Sequence, residues 1–554
     1  MAGWVLGSAV EVPSGKLLPI RKVRSEVRFF DERMLFVLRW VSERYIAPLS
    51  VVIGRSHPPR VAGEEAAARR RGAWGSAAAS LTRAAEGHPR VTSRRGTEPL
   101  LERYGGSGIL EAGTRTWLRP LPEDEAAVAV EAIAACLASG RRALVLVPEA
   151  EPLPNTAREV LDAFGSRAVT FSGGDDRTRY RAWLEIRSRV YDVVVGTRPA
   201  VFAPLEHLGL IWISREVHPG HREDRSPYYH VREVATARAR IEGAACVVSS
   251  LSPSVETAVA CAERKWRTAR PARDVERAAA PLVETTAPEA EDRSPRLGRL
   301  LKTARRAVLL LTRRGYGVAR VCRSCGEPAA CATCGGPIVV ERGAARCGAC
   351  GAPGRCRHCG GGLFGIERGG TERIAEWAGR FTVHDLTVGT AAVVKDLGPN
   401  RLDLVAILDP DRALARPGIH AGEQALATWM EAAVWAGPKS GGGRVLVQTR
   451  RPGHPAVQAL VRWEPVPFLL SEAARREEAG FPAGHAVFRV AGGAALEALL
   501  RAAGAETVLA TVGDELTVCL AAVHPGRGAE FRREVLRLAG EGTVDRVEAE
   551  PQLA

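Results

Sequence analysis

At 554 residues and 46% hydrophobic side chains, the chain is long enough for three or four domains with their own cores. Its formal charge of +14, from 77 basic against 63 acidic residues, suits a polyanionic partner, although the excess of arginine over lysine also fits GC-rich coding. No apolar run approaches the roughly 20 residues of a membrane span, so a helical membrane protein is excluded and the sequence reads as soluble and cytoplasmic.

In chain order, residues 1–62 read as a small unit. Val5 to Val12 is expected to pair with Lys16 to Val23 through the turn Pro13-Ser14-Gly15. Asp31 is placed to cap a helix running to about Tyr45, with Leu35, Val37, Leu38, Val41 and Tyr45 on one face. From Ala62 to about Gly113 the chain is rich in Ala, Arg and Gly, and the run Arg69, Arg70, Arg71 serves either as a solvated face or as a phosphate contact.

An α/β pattern begins at Arg142. Short apolar runs at Ala143 to Val147, Ala168 to Phe171, Val193 to Val195, Leu210 to Ile213 and Ala245 to Val248 alternate with helical stretches, which predicts a parallel sheet covered on both faces. A second such half is expected from Arg305 to Leu311, Phe381 to Leu386, Leu404 to Leu408 and Val445 to Gln448. A last α+β piece follows, with strands expected at Ala486 to Val490, Thr507 to Thr511 and Glu515 to Leu520.

Between the first and second of those later strands lie eight of the chain's twelve cysteines, in four CxxC pairs: Cys322/Cys325, Cys331/Cys334, Cys347/Cys350 and Cys356/Cys359. Two thiolates two residues apart turn back on one ion, and tetrahedral zinc takes two such knuckles, so the array fits two zinc ions per chain in four-cysteine sites. Disulfides would need an oxidising compartment, and ferredoxin-type iron–sulfur spacings differ from this run. Spacing leaves two pairings open, consecutive or nested. The twelve residues between the inner pairs suit a ribbon with a strand at Ile338 to Val340 and Gly343 in its turn, which favours nesting. Closed all-cysteine sites leave no position for water, so the ions are expected to hold the module together and do no chemistry.

Several stretches carry a specific resemblance. VVVGTRPAVFAPLEHLGLIWI (193–213), HPGHREDRSPYYHVREVATARARIEG after it, SSLSPSVET (249–257), LLTRRGYG (310–317) directly before the cysteine array, and QTRRPGHPAVQAL (448–460) resemble the PriA family of primosomal replication-restart helicases, over nearly the whole chain. The resemblance implies two RecA-like helicase lobes, a two-zinc ribbon module inserted in the second, an N-terminal DNA-binding domain and a C-terminal α+β domain. The implied domains are 1–62, a partial N-terminal 3′ DNA-binding domain; 63–115, a degenerate winged helix or linker; 116–270, the first lobe; 271–320 and 361–460, the second lobe; 321–360, the zinc module; and 461–554, the C-terminal domain.

The departures from the family bear on activity. An ATP-driven lobe needs a glycine-rich loop with a lysine and a hydroxyl for phosphate and magnesium. At that place the chain has TWLRPLPEDEAAVAVEA (116–132), with no GKT or GKS, two prolines, and the acidic run Glu123, Asp124, Glu125. Where the family carries Asp-Glu-Glu-His, this chain reads Ser214-Arg215-Glu216-Val217-His218; Glu216 and His218 are then expected in a surface loop. Where the family has its arginine-bearing Gln-Val-Ala-Gly-Arg-Ala-Gly-Arg run, this chain reads Met430 to Pro438 without an arginine. No catalytic residue is therefore assigned, and a motor-degenerate member of the actinobacterial type is expected. The chain also begins partway into the family's N-terminal domain; Lys22 falls where the family has a lysine lining its 3′-end pocket, and Tyr228, Tyr229 and His230 are candidates to stack on bases.

The resemblance thus implies a DNA-binding replication-restart protein of the cytoplasm and nucleoid. Its implied partners are branched or single-stranded DNA, primosome proteins, the replicative helicase or its loader, and single-strand binding protein. The competing expectation is an ATP-dependent 3′–5′ helicase with an unorthodox nucleotide site.

Overall fold

The computed structural model describes residues 3–6, 20–70, 99–288, 294–312, 318–325, 329–336, 338–341, 344–348, 350–368, 371–381, 383–395, 402–416, 418–479, 481, 486–512, 516–549 and 551. Most of the strand pair expected before Val23, and Arg71 of the arginine run, lie outside them. The chain forms two compact units. One gathers the residues up to Arg273 with Val466–Leu553, and the other Asp274–Lys395 with Pro399–Pro465.

In the first unit, Asp31 caps the helix Glu32–Arg44 by accepting the Met34 amide at 2.7 Å, as its position ahead of an amphipathic run dictates. Val37, Leu38, Val41 and Tyr45 are buried. Helices Leu49–Arg55 and Ala62–Arg70 follow. The parallel sheet then consists, among the described residues, of β1 (Arg115–Leu118), β2 (Arg142–Leu146), β3 (Ala168–Phe171), β4 (Val193–Gly196), β5 (Leu208–Ser214), β6 (Ala245–Ser249) and β7 (Arg267–Ala269), in the order β3-β4-β2-β5-β6-β1-β7. Every pairing in it is parallel. β2, β4, β5 and β6 are buried along their whole length, the reason they read as continuous apolar runs.

The second unit holds β8 (Leu282–Thr286), β9 (Arg306–Leu310), β10 (Val318–Cys322), β11 (Ile338–Glu341), β12 (Ala344–Cys347), β13 (Phe364–Arg368), β14 (Asp385–Gly389), β15 (Leu404–Ile407) and β16 (Arg444–Gln448). β14-β9-β15-β16-β8 form its parallel sheet. The cysteine array therefore enters after the second strand, β9, and not after the first. β8 escapes a reading from apolar runs because it is a half-exposed edge strand of sequence LVETT. The strand expected at Phe381 begins later, at Asp385, because Phe381 packs edge-on against Trp377 at 5.1 Å. β10 pairs with β13 and β11 with β12, both antiparallel.

The chain then returns to the first unit with β17 (Ala486–Gly492), β18 (Thr507–Val512), β19 (Thr517–Val523) and β20 (Val544–Ala549), an antiparallel sheet in the order β18-β19-β17-β20. Phe488, Val490, Phe531 and Val535 from this piece share one continuous core with Val37 and Val41 of the N-terminal helices and Phe202 and Ile213 of the parallel-sheet region. Two buried carboxylates fix the N-terminal helices to the helix Asp176–Arg187. Glu64 meets Arg181 at 2.8 Å and Arg177 at 2.9 Å, and Glu65 accepts from Tyr180, Ser25 and Arg60. Burial pushes the Glu65 carboxyl up, but Arg60, Tyr180 and Ser25 outweigh it and hold the group below its ordinary value.

Candidate metal centre and the strand-end cluster

Among the described residues, two groups of metal-ligating side chains come together. One is Cys322, Cys325, Cys356 and Cys359; the other is Cys331, Cys334, Cys347 and Cys350, with all sulfurs of each group within 4.8 Å. This is the nested pairing. Neighbouring sulfurs stand 3.4 Å (Cys322–Cys359), 3.7 Å (Cys325–Cys356), 3.8 Å (Cys331–Cys350) and 3.4 Å (Cys334–Cys347) apart. Tetrahedral bonds of about 2.3 Å place two sulfurs about 3.8 Å apart, so both groups fit a tetrahedral thiophilic ion.

The knuckles repeat one backbone device. The second cysteine is followed by a glycine in the left-handed region, at φ 74° for Gly335, 70° for Gly351 and 71° for Gly360. That turn lets the amide of Gly335 donate to the Cys331 carbonyl at 2.9 Å, Gly351 to Cys347 at 3.1 Å and Gly360 to Cys356 at 2.8 Å. Within the loops, the Thr333 amide points at Cys331 Sγ at 3.3 Å and the Cys350 amide at Cys347 Sγ at 3.4 Å. Amide donation from Cys334 and Thr333 draws the Cys331 thiol down to about 6, favouring the thiolate a metal takes. In each pair the first cysteine is buried and the second exposed.

At the carboxyl ends of β1, β5 and β6 a second polar cluster gathers the residues where a nucleotide site would lie. The turn after β1 runs Arg119-Pro120-Leu121-Pro122-Glu123-Asp124 into the helix Glu125–Ala138. Its amides are committed: Arg119 N–H donates to the Ala269 carbonyl at 2.8 Å, Leu121 N–H to the Tyr104 hydroxyl at 2.9 Å and Asp124 N–H to the Leu121 carbonyl at 3.0 Å. Pro120 and Pro122 have no amide hydrogen. Tyr104, fully buried, passes its own hydrogen to Asp124 Oδ2 at 2.9 Å.

The next strand end is equally occupied. Ser214 donates to Glu125 at 2.6 Å, and Arg215 pairs with Glu149 at 3.1 Å. Glu216 is completely buried, which corrects the expectation of a surface loop. It pairs with Arg232 at 2.9 Å and accepts from the hydroxyls of Ser254, at 2.8 Å, and Thr257. The cause is that a carboxylate beside a strand end can enter the interior when a buried guanidinium meets it. Burial works against the charge on Arg232, but Glu233, Glu216 and Glu256 outweigh it and raise its pKa. His218 accepts the Gly220 amide at 3.0 Å. His221, wholly buried, donates from Nε2 to the Ser214 carbonyl at 2.8 Å, and burial pushes its pKa down to about 4. Sequence reasoning missed Tyr104 and Arg232, since Leu121 lies 17 residues from the one and Glu216 lies 16 from the other, with no local signal.

The four DNA-binding candidates fall in different places. Lys22 is exposed. Tyr229 is 2% exposed and packs edge-to-face on Phe202 at 5.3 Å, which leaves no ring face for a base and corrects that expectation. Tyr228 is half-buried with Arg546 5.4 Å over its ring. His230 caps the helix Val231–Glu242 by accepting the Arg232 amide at 3.2 Å. The loop from Arg222 to His230 is instead a docking point for the C-terminal sheet, with Arg222 donating to the Ala549 carbonyl at 2.7 Å. Among the described residues no helix is long and apolar enough to cross a membrane.

No family model matches the chain. A curated relative from Mycobacterium bovis, named "Probable replication restart protein PriA", is 32% identical over 400 residues, covering 64% of this chain and 60% of the relative. Replication restart proteins PriA of Treponema pallidum and Bacillus subtilis are 29% and 27% identical, each over 64% of this chain and over 60% and 50% of their own lengths. The match is thus narrower than the nearly whole-chain resemblance read from the motifs. Among solved structures, a RecG bound to a three-way DNA junction aligns with 79% of this chain and 51% of its own, at 11% identity and a TM-score of 0.37. A DEAD box protein of Methanococcus jannaschii aligns with 63% and 86%, at 12% identity and a TM-score of 0.31. The chain is thus similar to curated replication restart proteins named PriA and spans 50–60% of the length of these relatives.

Proposed function

We propose that this chain is a DNA-binding replication-restart protein without a motor of its own. It recognises stalled or abandoned forks, helps assemble the primosome, and supports reloading of the replicative helicase. The observation that carries the loss of the motor is the turn from Arg119 to Asp124, where the amides of Arg119, Leu121 and Asp124 are bonded within the protein and two positions are proline. A triphosphate meets the carboxylates of Glu123, Asp124 and Glu125 there in place of a lysine. The magnesium-binding step of phosphoryl transfer lacks its carboxylate, since Ser214 and Arg215 stand at that strand end and Glu216 is consumed by Arg232.

DNA affinity in this reading comes from arginine and lysine contacts to phosphate, consistent with the charge of +14, with exposed Lys22 among them and Tyr228 as the remaining stacking candidate. The eight cysteines hold two zinc ions, and the zinc module is a rigid arm toward DNA or primosome proteins. The proteins it engages are those of the primosome, the helicase or its loader, and single-strand binding protein, in the cytoplasm at the nucleoid. The test is ATP hydrolysis by purified zinc-loaded protein with and without a forked DNA that it binds in the same buffer. Binding without turnover supports this reading, and fork-stimulated turnover supports an ATP-dependent helicase.

A further inference from the structure

The two four-cysteine groups share backbone. Cys331 of the inner group and Cys356 of the outer group face each other across an antiparallel bridge. The bridge is closed by Ala332 N–H to the Arg355 carbonyl at 3.0 Å and Arg357 N–H to the Ala330 carbonyl at 2.9 Å. Both cysteines are buried. The two loops that leave the bridge are copies of each other: Cys331 N–H reaches the Gly336 carbonyl at 2.8 Å and Cys356 N–H the Gly361 carbonyl at 2.9 Å. The side chain of Arg357, from the outer knuckle, lies against the inner one, where a Cβ on Gly335 would meet its Nη1 at 3.0 Å.

An ion in either site fixes the knuckle whose backbone forms half of that bridge. The other knuckle then closes against a strand already in place, so less conformational freedom is lost on the second binding event. We propose that the two sites load as one cooperative unit, coupled through the Cys331–Cys356 bridge. This rests on the reading that both groups hold a metal ion. Arg357 is a positioning residue in this scheme, since it holds one knuckle over the other.

The test uses the full chain, stripped of metal under reducing conditions and titrated with Co(II), whose thiolate charge-transfer absorption reports each filled site. The wild type is expected to take up two ions in one cooperative step. Cys359→Ser, which removes an outer ligand, is expected to weaken the intact inner site about tenfold or more, the usual scale of coupling between sites. Ala332→Pro keeps all eight cysteines and removes one bridge donor; it is expected to bind two ions that fill independently. Wild-type affinity at the inner site of Cys359→Ser, or full cooperativity in Ala332→Pro, overturns the proposal. Fewer than two ions in the wild type contradicts the metal reading itself, a separate failure.

Discussion

The hydroxyl of Ser214, at the end of β5, donates to the carboxylate of Glu125 across 2.6 Å and ties that strand end to the first turn of the helix after β1. In a motor lobe those two places face a magnesium nucleotide; here they face each other. The cluster around them is made of committed partners, and its expected behaviour is that of a structural core.

Tyr104→Phe removes one hydroxyl that both accepts from Leu121 and donates to Asp124. It leaves the half-buried Leu121 amide without this partner, so stability is expected to fall by about 1 kcal/mol. The shift in the urea midpoint of the purified variant checks this.

Glu216→Ala strands the Arg232 guanidinium inside the first unit, where Glu233 and Glu256 still face it. A loss of about 3 kcal/mol is expected, as for a buried pair broken on one side. Urea unfolding reads the loss, while a residue needed for turnover would instead abolish activity in a variant that stays folded.

Acid is expected to destabilise the first unit in two windows. His221 has its folded pKa depressed to about 4, so the unfolded chain binds its proton first, and stability falls as pH drops from about 6.5 toward 4. Glu65, also depressed, adds a further loss below its ordinary value. Thermal midpoints between pH 7 and pH 4 measure this, and His221→Gln is expected to flatten the upper window.

The two neighbouring tyrosines are expected to separate. Tyr229→Ala opens a cavity beside Phe202 and costs about 3–5 kcal/mol of stability. Tyr228→Ala is expected to leave folding nearly unchanged and to weaken fork binding by about 1–3 kcal/mol. Fluorescence anisotropy with a labelled fork, beside an unfolding curve for each variant, tests the pair.

What was legible in the sequence follows burial. β2, β4, β5 and β6 are enclosed on both faces, so their apolar runs stand out, and the CxxC spacing announces metal ligation, while the fold decides which pairs share an ion. β1 and β8 were missed because one, RTWL, opens on two polar residues and so shows no apolar run, and the other lies half-exposed at a sheet edge. The burial of Glu216 and the seat of the C-terminal sheet depend on partners such as Arg222 and Ala549, 327 residues apart, which no local pattern encodes. The aromatic pair Tyr228-Tyr229 reads alike in sequence, and only the fold gives one to the core and the other to Arg546.

The measurement that bears most directly on the loss of the motor is steady-state ATP hydrolysis at saturating forked DNA, with binding followed in the same sample. The expected result is a bound fork, binding that weakens steeply as salt rises, and no turnover above the protein-free rate. Turnover that rises with fork concentration and persists through repurification would contradict the account and point to a phosphate site in the turn from Arg119 to Glu125.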